Sequence, residues 1–195
     1  ICVSIARGRH RHVIAEHRHL SEQGAQLVEI RLDYIRGPVN IKRLLQDRPC
    51  PVVMTCRRER DGGRFPGTEA ERQLLLRTAI AEGADYVDLE EDIAASIPRY
   101  GTTKRIISYH DFRQTPEDLE SLHARLASLD ADVVKICTMA NRPQDNTRMF
   151  RLLLKVNVPT VAFCMGDMGI PSRILAGKFG APSYISVVAP FARGP

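Results

Sequence analysis

The chain has 195 residues, of which 44% are hydrophobic and 26% charged, and its formal net charge is +5. This length suits one domain with a sizeable core. No apolar run approaches the ~20 residues that a transmembrane helix needs, and no Lys/Arg run with interleaved aromatic residues indicates nucleic-acid binding. We therefore expect no membrane or nucleic-acid partner; the mild positive charge suits an anionic small-molecule substrate, or simply solubility.

Cysteine and histidine patterns predict no metal site. The 5 cysteines form no C-x-x-C pair, and most lie in apolar, strand-like runs. This usage favours buried free thiols in a reducing compartment, so we expect a cytoplasmic protein. No histidine pair shares a helical face. The histidines expected at the surface are His10, His12, His17, His19 and His123.

Apolar runs and helical patterns alternate along the chain. The runs that predict strands are 1–6, 26–34, 51–57, 86–91, 105–110, 133–139, 159–165 and 184–188. The patterns that predict helices are 13–23, 41–46, 68–82, 115–129, 145–155 and 172–179, with a short helical turn before Tyr100. Thr68 is the expected N-cap of the third helix, and Pro116 the expected first residue of the next long one.

Strands that are apolar on both faces and separated by helices favour parallel pairing. Eight such units are the number that closes a (β/α)₈ barrel. An open doubly wound sheet is the alternative, but the first strand is not followed by a Gly-rich phosphate-binding turn. We predict an α/β fold, with a single (β/α)₈ TIM-barrel domain over residues 1–195 whose eighth helix is not recognisable.

The sixth predicted strand carries Lys135 in the middle of an apolar run. Burial disfavours the ammonium form and can lower the pKa of a lysine by up to ~3–5 units, and a neutral amine can attack a ketone to form a Schiff base. A lysine that bends out to solvent or pairs with a carboxylate is the alternative. His110 ends the fifth strand, where it could act as a general acid/base or as a hydrogen-bonded structural residue.

Charged residues also lie at the ends of other strands, where the chemistry of such barrels sits. The two-residue period places Glu29, Arg31 and Asp33 on one side of the second strand. It places Asp88 and Glu90 on one side of the fourth. Glu29 and Arg31 could simply neutralise each other, and Asp88 or Glu90 could be a structural partner for Lys135 or an arginine, but interior charges must be desolvated and paired. Together they predict a charged pocket at one end of the barrel.

Arg173 follows the seventh strand, after a turn that contains glycines. Pro171 and Ser172 mark the start of a helix there, which places Arg173 in the first helical turn. In that position a guanidinium could hold a carboxylate alongside the helix amides. A surface arginine is the alternative.

These residues, taken in order, resemble type I 3-dehydroquinate dehydratase, the shikimate-pathway enzyme, and the match runs from residue 1 to about residue 187. The motifs that carry it are Val28-Glu-Ile-Arg-Leu-Asp33, Thr55-Cys-Arg57, Gly62-Gly63, Asp88-Leu-Glu90, Ser108-Tyr-His-Asp-Phe112, Val134-Lys-Ile136, Met165-Gly and Ser172-Arg173. The resemblance implies a (β/α)₈ barrel that needs no metal or organic cofactor. It implies a lyase that converts 3-dehydroquinate to 3-dehydroshikimate.

The resemblance also implies roles for individual residues. Lys135 would form an imine with the substrate ketone, and His110 would move the protons, oriented by a carboxylate. The family usually has a glutamate for that purpose ahead of its Gly-Gly pair, whereas this chain has Asp61 directly before Gly62. Arg173 would be the principal carboxylate clamp. The expected substrate-binding set is Glu29, Arg31, Arg57, Asp88, Glu90, Met165 and Arg173.

Two further departures and one likeness concern the C-terminal part and the partners. Ile185 stands where the family has phenylalanine, and 191–195 do not match the family's Ser-Ala-Pro-Gly-Gln lid, which we expect in a continuation of the chain. A likeness through Arg148-Met-Phe150 and Lys178-Phe-Gly180 is to the form fused to shikimate dehydrogenase, which suggests a fused domain. A homodimer is also implied. The alternatives are another Schiff-base barrel enzyme, such as a class I aldolase, and a non-catalytic barrel domain.

Overall fold

The computed structural model describes residues 2–182 and the strand at 187–188. Its chain divides into two compact units. Within the described residues, the first unit comprises 2–87, 100–103 and 187–188, and the second unit comprises 88–99 and 104–182. The predicted single domain over 1–195 stays a prediction. No helix in the described part is long and apolar enough to span a membrane.

The described strands and helices follow the predicted order, except that turns and no helix connect the fourth strand to the fifth. The strands are β1 (Cys2–Ile5), β2 (Leu27–Arg31), β3 (Val52–Thr55), β4 (Tyr86–Glu90), β5 (Lys104–Asp111), β6 (Val133–Met139), β7 (Thr160–Met165) and β8 (Val187–Val188). The helices are α1 (His10–Glu22), α2 (Ile41–Leu45), α3 (Glu69–Ala81), α4 (Leu119–Ala127), α5 (Gln144–Lys155) and α6 (Ile170–Leu175).

The first unit contains a parallel sheet in the order β8-β1-β2-β3. Strands β1, β2 and β3 are largely buried because their side chains are mostly apolar; Val28, Ile30 and Val52, for example, are fully enclosed. Helix α3 begins with the predicted cap: the Thr68 hydroxyl accepts a hydrogen bond from the Glu71 amide, while the Glu71 carboxylate accepts one from the Thr68 amide. This reciprocal pair satisfies amides that have no partner inside the helix.

The second unit contains the parallel strands β5, β6 and β7, next to the end of β4. Helix α4 begins at Leu119 and not at Pro116, as the sequence suggested. The Asp118 carboxylate caps it by accepting a hydrogen bond from the Ser121 amide at 2.9 Å. The Thr115 hydroxyl instead lies 2.9 Å from the Thr138 hydroxyl of β6. This contact with the sheet therefore holds residue 115 outside the helix.

The prediction that Asp33 lies on the same strand face as Glu29 and Arg31 is wrong. Strand β2 ends at Arg31, and Leu32–Tyr34 forms a single 3₁₀ turn. The turn is stabilised because the Arg31 guanidinium donates two hydrogen bonds, of 2.8 and 2.7 Å, to the two oxygens of Asp33. Asp33 therefore serves as the partner of Arg31 at the strand end.

Two histidines that the sequence placed at the surface are buried. His17 lies 3.2 Å from the Cys50 thiol, and His123 lies 2.8 Å from the Thr160 hydroxyl. The polar sequence context misled the prediction because each ring turns inward from an amphipathic helix. Burial lowers the pKa of both imidazoles, and for His17 the nearby Arg48 charge lowers it further.

The buried His123 predicts a loss of stability in mild acid. Its pKa is lowered in the folded state, so below the unfolded value of about 6.5 the unfolded chain binds the proton first. Stability from the neutral ring is thus complete above that pH and falls as the pH drops below it. Urea unfolding at pH 8 and pH 5.5 should show a smaller pH dependence for His123→Gln than for wild type. His19→Gln, at an exposed position, is the control; equal pH dependence in all three proteins would contradict the assignment.

Candidate active site

Strand β6 places Lys135 on one face of the sheet in the second unit. Five consecutive residues of this strand, 134–138, are buried, and Lys135 is opposite Ser108 on β5 and Val161 on β7. Side chains alternate between the two faces of a strand and point the same way in registered pairs. Lys135 therefore shares its face with Ser108, Cys137 and Val161. The lysine does not bend out to solvent, since its side chain is only 6% exposed.

The amine of Lys135 is paired with a buried carboxylate. Its Nζ lies 3.0 Å from Oδ2 of Asp88, whose side chain is fully enclosed. The Ser108 hydroxyl donates a 2.6 Å hydrogen bond to the other oxygen, Oδ1. The sequence left two alternatives to a reactive lysine: a side chain that bends out to solvent, and one that pairs with a carboxylate. The structure excludes the first and shows the second. Asp88, expected among the substrate-binding residues, engages the lysine.

His110 lies on the same face as Lys135, one layer further towards the C-terminal end of the sheet. It follows Ser108 by two residues on β5 and is opposite Cys137 on β6. The imidazole ring stacks on Phe112, with 6.2 Å between the ring centroids and 15° between the planes. The parallel register therefore places the imidazole of His110 on the face of the sheet that carries the amine.

Strand β7 brings Met165 and Arg173 to this face. Phe163 is opposite Cys137, and Met165 is opposite Met139, so both share the face of Lys135. The guanidinium carbon of Arg173 lies 5.2 Å from the centroid of the Phe163 ring, a cation–π geometry. The second unit thus presents an amine, an imidazole, a thioether and a guanidinium on one side of its sheet. Glu90 belongs to the same side of β4 as Asp88 by alternation.

The turn before α6 fixes the position of Arg173. A Cβ on Gly169 would lie 2.4 Å from the carbonyl oxygen of Cys164, so only glycine permits this approach. The Ser172 hydroxyl accepts a hydrogen bond from the Cys164 amide, and the Ser172 amide donates one to Asn146. The expectation that the amides at the start of this helix join Arg173 in binding a carboxylate is not supported at Ser172, because Asn146 takes that amide.

In the first unit, Glu29 is a buried carboxylate held by hydroxyl groups from the adjacent strands. Ser4 of β1 donates a hydrogen bond to one oxygen, and Thr55 of β3 donates one of 2.9 Å to the other. Burial lowers the pKa of the Arg31 guanidinium. The hydrogen bonds with Asp33 and the negative charges of Asp33 and Glu29 outweigh this effect, so the pKa of Arg31 is raised overall. From the sequence, Ser4 went unrecognised and Thr55 had no role beyond its place in a motif; small polar residues inside apolar runs were the available signal.

Arg57 follows β3 and is buried, 4% exposed. The loop after it packs directly on its backbone: a Cβ on Gly63 would lie 1.9 Å from the Arg57 carbonyl oxygen. Arg72 of α3, which is fully buried, donates a 2.7 Å hydrogen bond to the carbonyl oxygen of Cys56, the residue before Arg57. Arg72 also went unrecognised in the sequence, because its helix reads as an ordinary amphipathic one.

Asp61 lies at the end of a 3₁₀ turn, Glu59–Asp61, in the first unit. Its carboxylate accepts a hydrogen bond from the Arg58 guanidinium and lies 3.9 Å from that of Arg60. Its expected role as the partner of a histidine stays a prediction.

Within the described ranges, no three His, Cys, Asp or Glu side chains are placed to hold a metal ion. Ile185 and residues 191–195, on which the other two departures rest, lie outside those ranges.

Comparisons with known structures establish the fold class. The structure of 3-dehydroquinate dehydratase from Geobacillus kaustophilus has a TM-score of 0.83 and 24% identity, covering 100% of this chain and 84% of that chain. The dehydroquinate dehydratase and shikimate dehydrogenase structure from S. pombe has a TM-score of 0.78 and 25% identity, covering 100% of this chain and 41% of that chain. With the parallel strands, these likenesses confirm the predicted α/β fold of the (β/α)₈ class.

Sequence comparisons establish the family. A family model described as type I 3-dehydroquinase matches residues 1–193. A bifunctional 3-dehydroquinate dehydratase/shikimate dehydrogenase of Arabidopsis thaliana is 38% identical over 191 residues, covering 92% of this chain and only 32% of that protein. A 3-dehydroquinate dehydratase of Methanothermobacter thermautotrophicus is 41% identical over 168 residues, covering 83% of this chain and 75% of that protein. The chain therefore belongs to the type I 3-dehydroquinase family of enzymes.

Proposed function

We propose that this chain catalyses the dehydration of 3-dehydroquinate to 3-dehydroshikimate through a Schiff base on Lys135. The observation that carries the proposal is the enclosed amine of Lys135 on the same face of the sheet as His110. Membership in the type I 3-dehydroquinase family supports the substrate. Relatives named for this dehydratase, including one 41% identical, support the reaction.

The proposed reaction uses the two residues in turn. The Lys135 ammonium gives a proton to His110, and the resulting neutral amine attacks the ketone carbon. The carbonyl oxygen takes one proton from this nitrogen and one from His110 and leaves as water, which gives an iminium ion and a neutral imidazole. His110 removes the proton from the carbon next to the iminium, and the electron pair moves towards the nitrogen. The protonated imidazole then gives a proton to the departing hydroxyl as the carbon–carbon double bond forms. Water hydrolyses the iminium, releases the product and restores the amine.

The remaining predicted residues would bind the substrate. Arg173 is the proposed carboxylate clamp, supported by its exposed position and by the Phe163 ring beneath its guanidinium. Met165 would pack on the ring of the substrate. By the family resemblance, the other proposed substrate ligands are Glu29, Arg31, Arg57 and Glu90, and Asp61 is the proposed partner of His110. No metal or organic cofactor takes part in this scheme.

Two proposals concern partners and location. The bifunctional relatives from Arabidopsis thaliana and S. pombe support a shikimate dehydrogenase domain working beside this one. The five free cysteines are compatible with the predicted reducing, cytoplasmic compartment. The homodimer stays a prediction, which light scattering on the purified protein would test.

Lys135→Met should abolish covalent trapping. Borohydride added together with 3-dehydroquinate reduces an iminium, so wild type should gain the mass of the reduced adduct on the peptide that contains Lys135. The variant should show no adduct and no absorbance from the conjugated enone. Lys155→Met, at an exposed lysine of α5 paired with Glu120, is the matched control and should be labelled like wild type. A class I aldolase would give no enone, and a non-catalytic domain would give no adduct.

His110→Asn should separate imine formation from proton transfer. We expect kcat to fall by roughly 10²–10⁴-fold, the usual contribution of a general acid/base, because no group then removes the α-proton efficiently. Borohydride should still label Lys135, since the amine remains. Steady-state kinetics and intact-mass measurements on the same preparation test both points, and an unchanged kcat would exclude the proposed role.

Arg173→Ala should weaken substrate binding more than it slows the chemistry. Losing a hydrogen bond between charged groups costs about 1.5–3 kcal/mol, so KM should rise roughly ten- to a hundred-fold. Arg173→Lys should recover part of the loss, since it keeps the charge but not the bidentate geometry. Arg151→Ala, at an exposed arginine of α5, is the control. Equal KM values for wild type and Arg173→Ala would remove Arg173 from the site.

A further inference from the structure

We propose that Ser108 is a positioning residue for the reacting amine, acting through Asp88. The inference deepens the proposed function and rests on it. Of the two expectations for Asp88, a substrate ligand or a structural partner of Lys135, it takes the second and gives that contact a part in the reaction. Each of the three residues belongs to the second unit and comes from a different strand: Asp88 from β4, Ser108 from β5 and Lys135 from β6.

The contacts form a continuous chain of two hydrogen bonds. The Ser108 hydroxyl donates to Oδ1 of Asp88 at 2.6 Å, and the Lys135 ammonium donates to Oδ2 at 3.0 Å. All three residues are enclosed, with Ser108 and Asp88 1% exposed and Lys135 5% exposed. Ser108 is directly opposite Lys135 in the parallel register, which fixes the hydroxyl beside the lysine.

The hydroxyl limits how the carboxylate can rotate. A hydrogen bond to an ionised carboxylate is stronger than one between neutral groups and favours the charged form. With Oδ1 held by Ser108, Oδ2 is directed at Nζ. Removing the hydroxyl takes away this donor at Oδ1 and so loosens the orientation in which the carboxylate meets the amine. The position of Nζ, and with it the line of attack on the ketone, depends on that orientation.

The same pair would act after the covalent bond forms. When Nζ bonds to the ketone carbon and the oxygen departs as water, the nitrogen keeps one proton and carries a positive charge. An imine withdraws electrons effectively only while this proton stays on, and the Asp88 charge beside it favours the protonated form. Other titratable or charged groups of the second unit on this side include Glu90 on β4, Lys104 and His110 on β5, Cys137 on β6 and Arg173 on α6; Lys104 lies at the opposite, N-terminal end of its strand.

The test compares Ser108→Ala with Ser108→Thr. Loss of a hydrogen bond to a charged group predicts a fall in kcat of about ten- to a hundred-fold for Ser108→Ala. KM should change little, since Ser108 is not proposed to touch the substrate. The alkaline limb of the kcat profile should move to lower pH, because the iminium loses its proton more easily. Ser108→Thr keeps the hydroxyl and should restore both kcat and the profile.

Controls separate positioning from general damage. Thr103→Val removes another buried hydroxyl, which donates to the Ala84 carbonyl at 2.7 Å, and should leave the pH profile unchanged. Asp88→Asn should shift the profile in the same direction as Ser108→Ala and further. If Ser108→Ala does not fold, as judged by circular dichroism, Ser108→Cys, with its weaker donor, takes its place and should show the same shift.

The outcomes distinguish this inference from the proposed function. Wild type trapped by borohydride, together with a Ser108→Ala profile and kcat equal to those of wild type, would overturn the positioning role and leave the proposed function standing. Failure of wild type to be trapped or to form the enone would overturn the proposed function and this inference with it. A slowed, shifted Ser108→Ala that Ser108→Thr rescues supports both.

Discussion

The ion pair between Lys135 and Asp88 is the contact on which the proposed chemistry of this chain depends. Both side chains are enclosed, and taking two charges out of water costs several kcal/mol for each ion, ~20 in the ideal limit. The 3.0 Å contact and the hydroxyl of Ser108 offset part of that cost. Two apolar side chains would fill the same space without this desolvation cost. The arrangement therefore encloses a charged pair in the sheet at a cost in stability.

Strand register presents the amine to the groups around it. In the second unit, alternation directs one set of side chains of β5, β6 and β7 to the face of Lys135, while the other set, such as Thr138 and Cys164, packs against Thr115 before α4. Hydrogen bonds along each strand hold these positions more rigidly than a loop would. His110 lies on this face because it follows Ser108 by two residues, and Met165 lies on it because it is opposite Met139. Arg173 reaches the face through the turn that Gly169 permits.

The two units stabilise a buried carboxylate in the same way. Each contains a buried carboxylate on one strand that accepts a hydrogen bond from a hydroxyl on a neighbouring strand: Thr55 and Ser4 hold Glu29, and Ser108 holds Asp88. A hydroxyl is small enough to fit in the tightly packed sheet and can orient its proton towards the acceptor. It therefore stabilises an enclosed charge without adding a second charge that would also have to be desolvated.

The sequence alone determined the alternation of strands and helices, the burial of Lys135 and the family, because apolar periodicity and ordered motifs are local properties of the chain. It placed His17 and His123 at the surface, because no local pattern shows which face of a helix turns towards the core. It placed Asp33 on a strand, because no local pattern shows that its hydrogen bonds with Arg31 end the strand. Only the tertiary structure decided which carboxylate meets the amine. Asp88 and Lys135 are 47 residues apart, and their contact exists because the register of separate strands brings them to one level of the sheet.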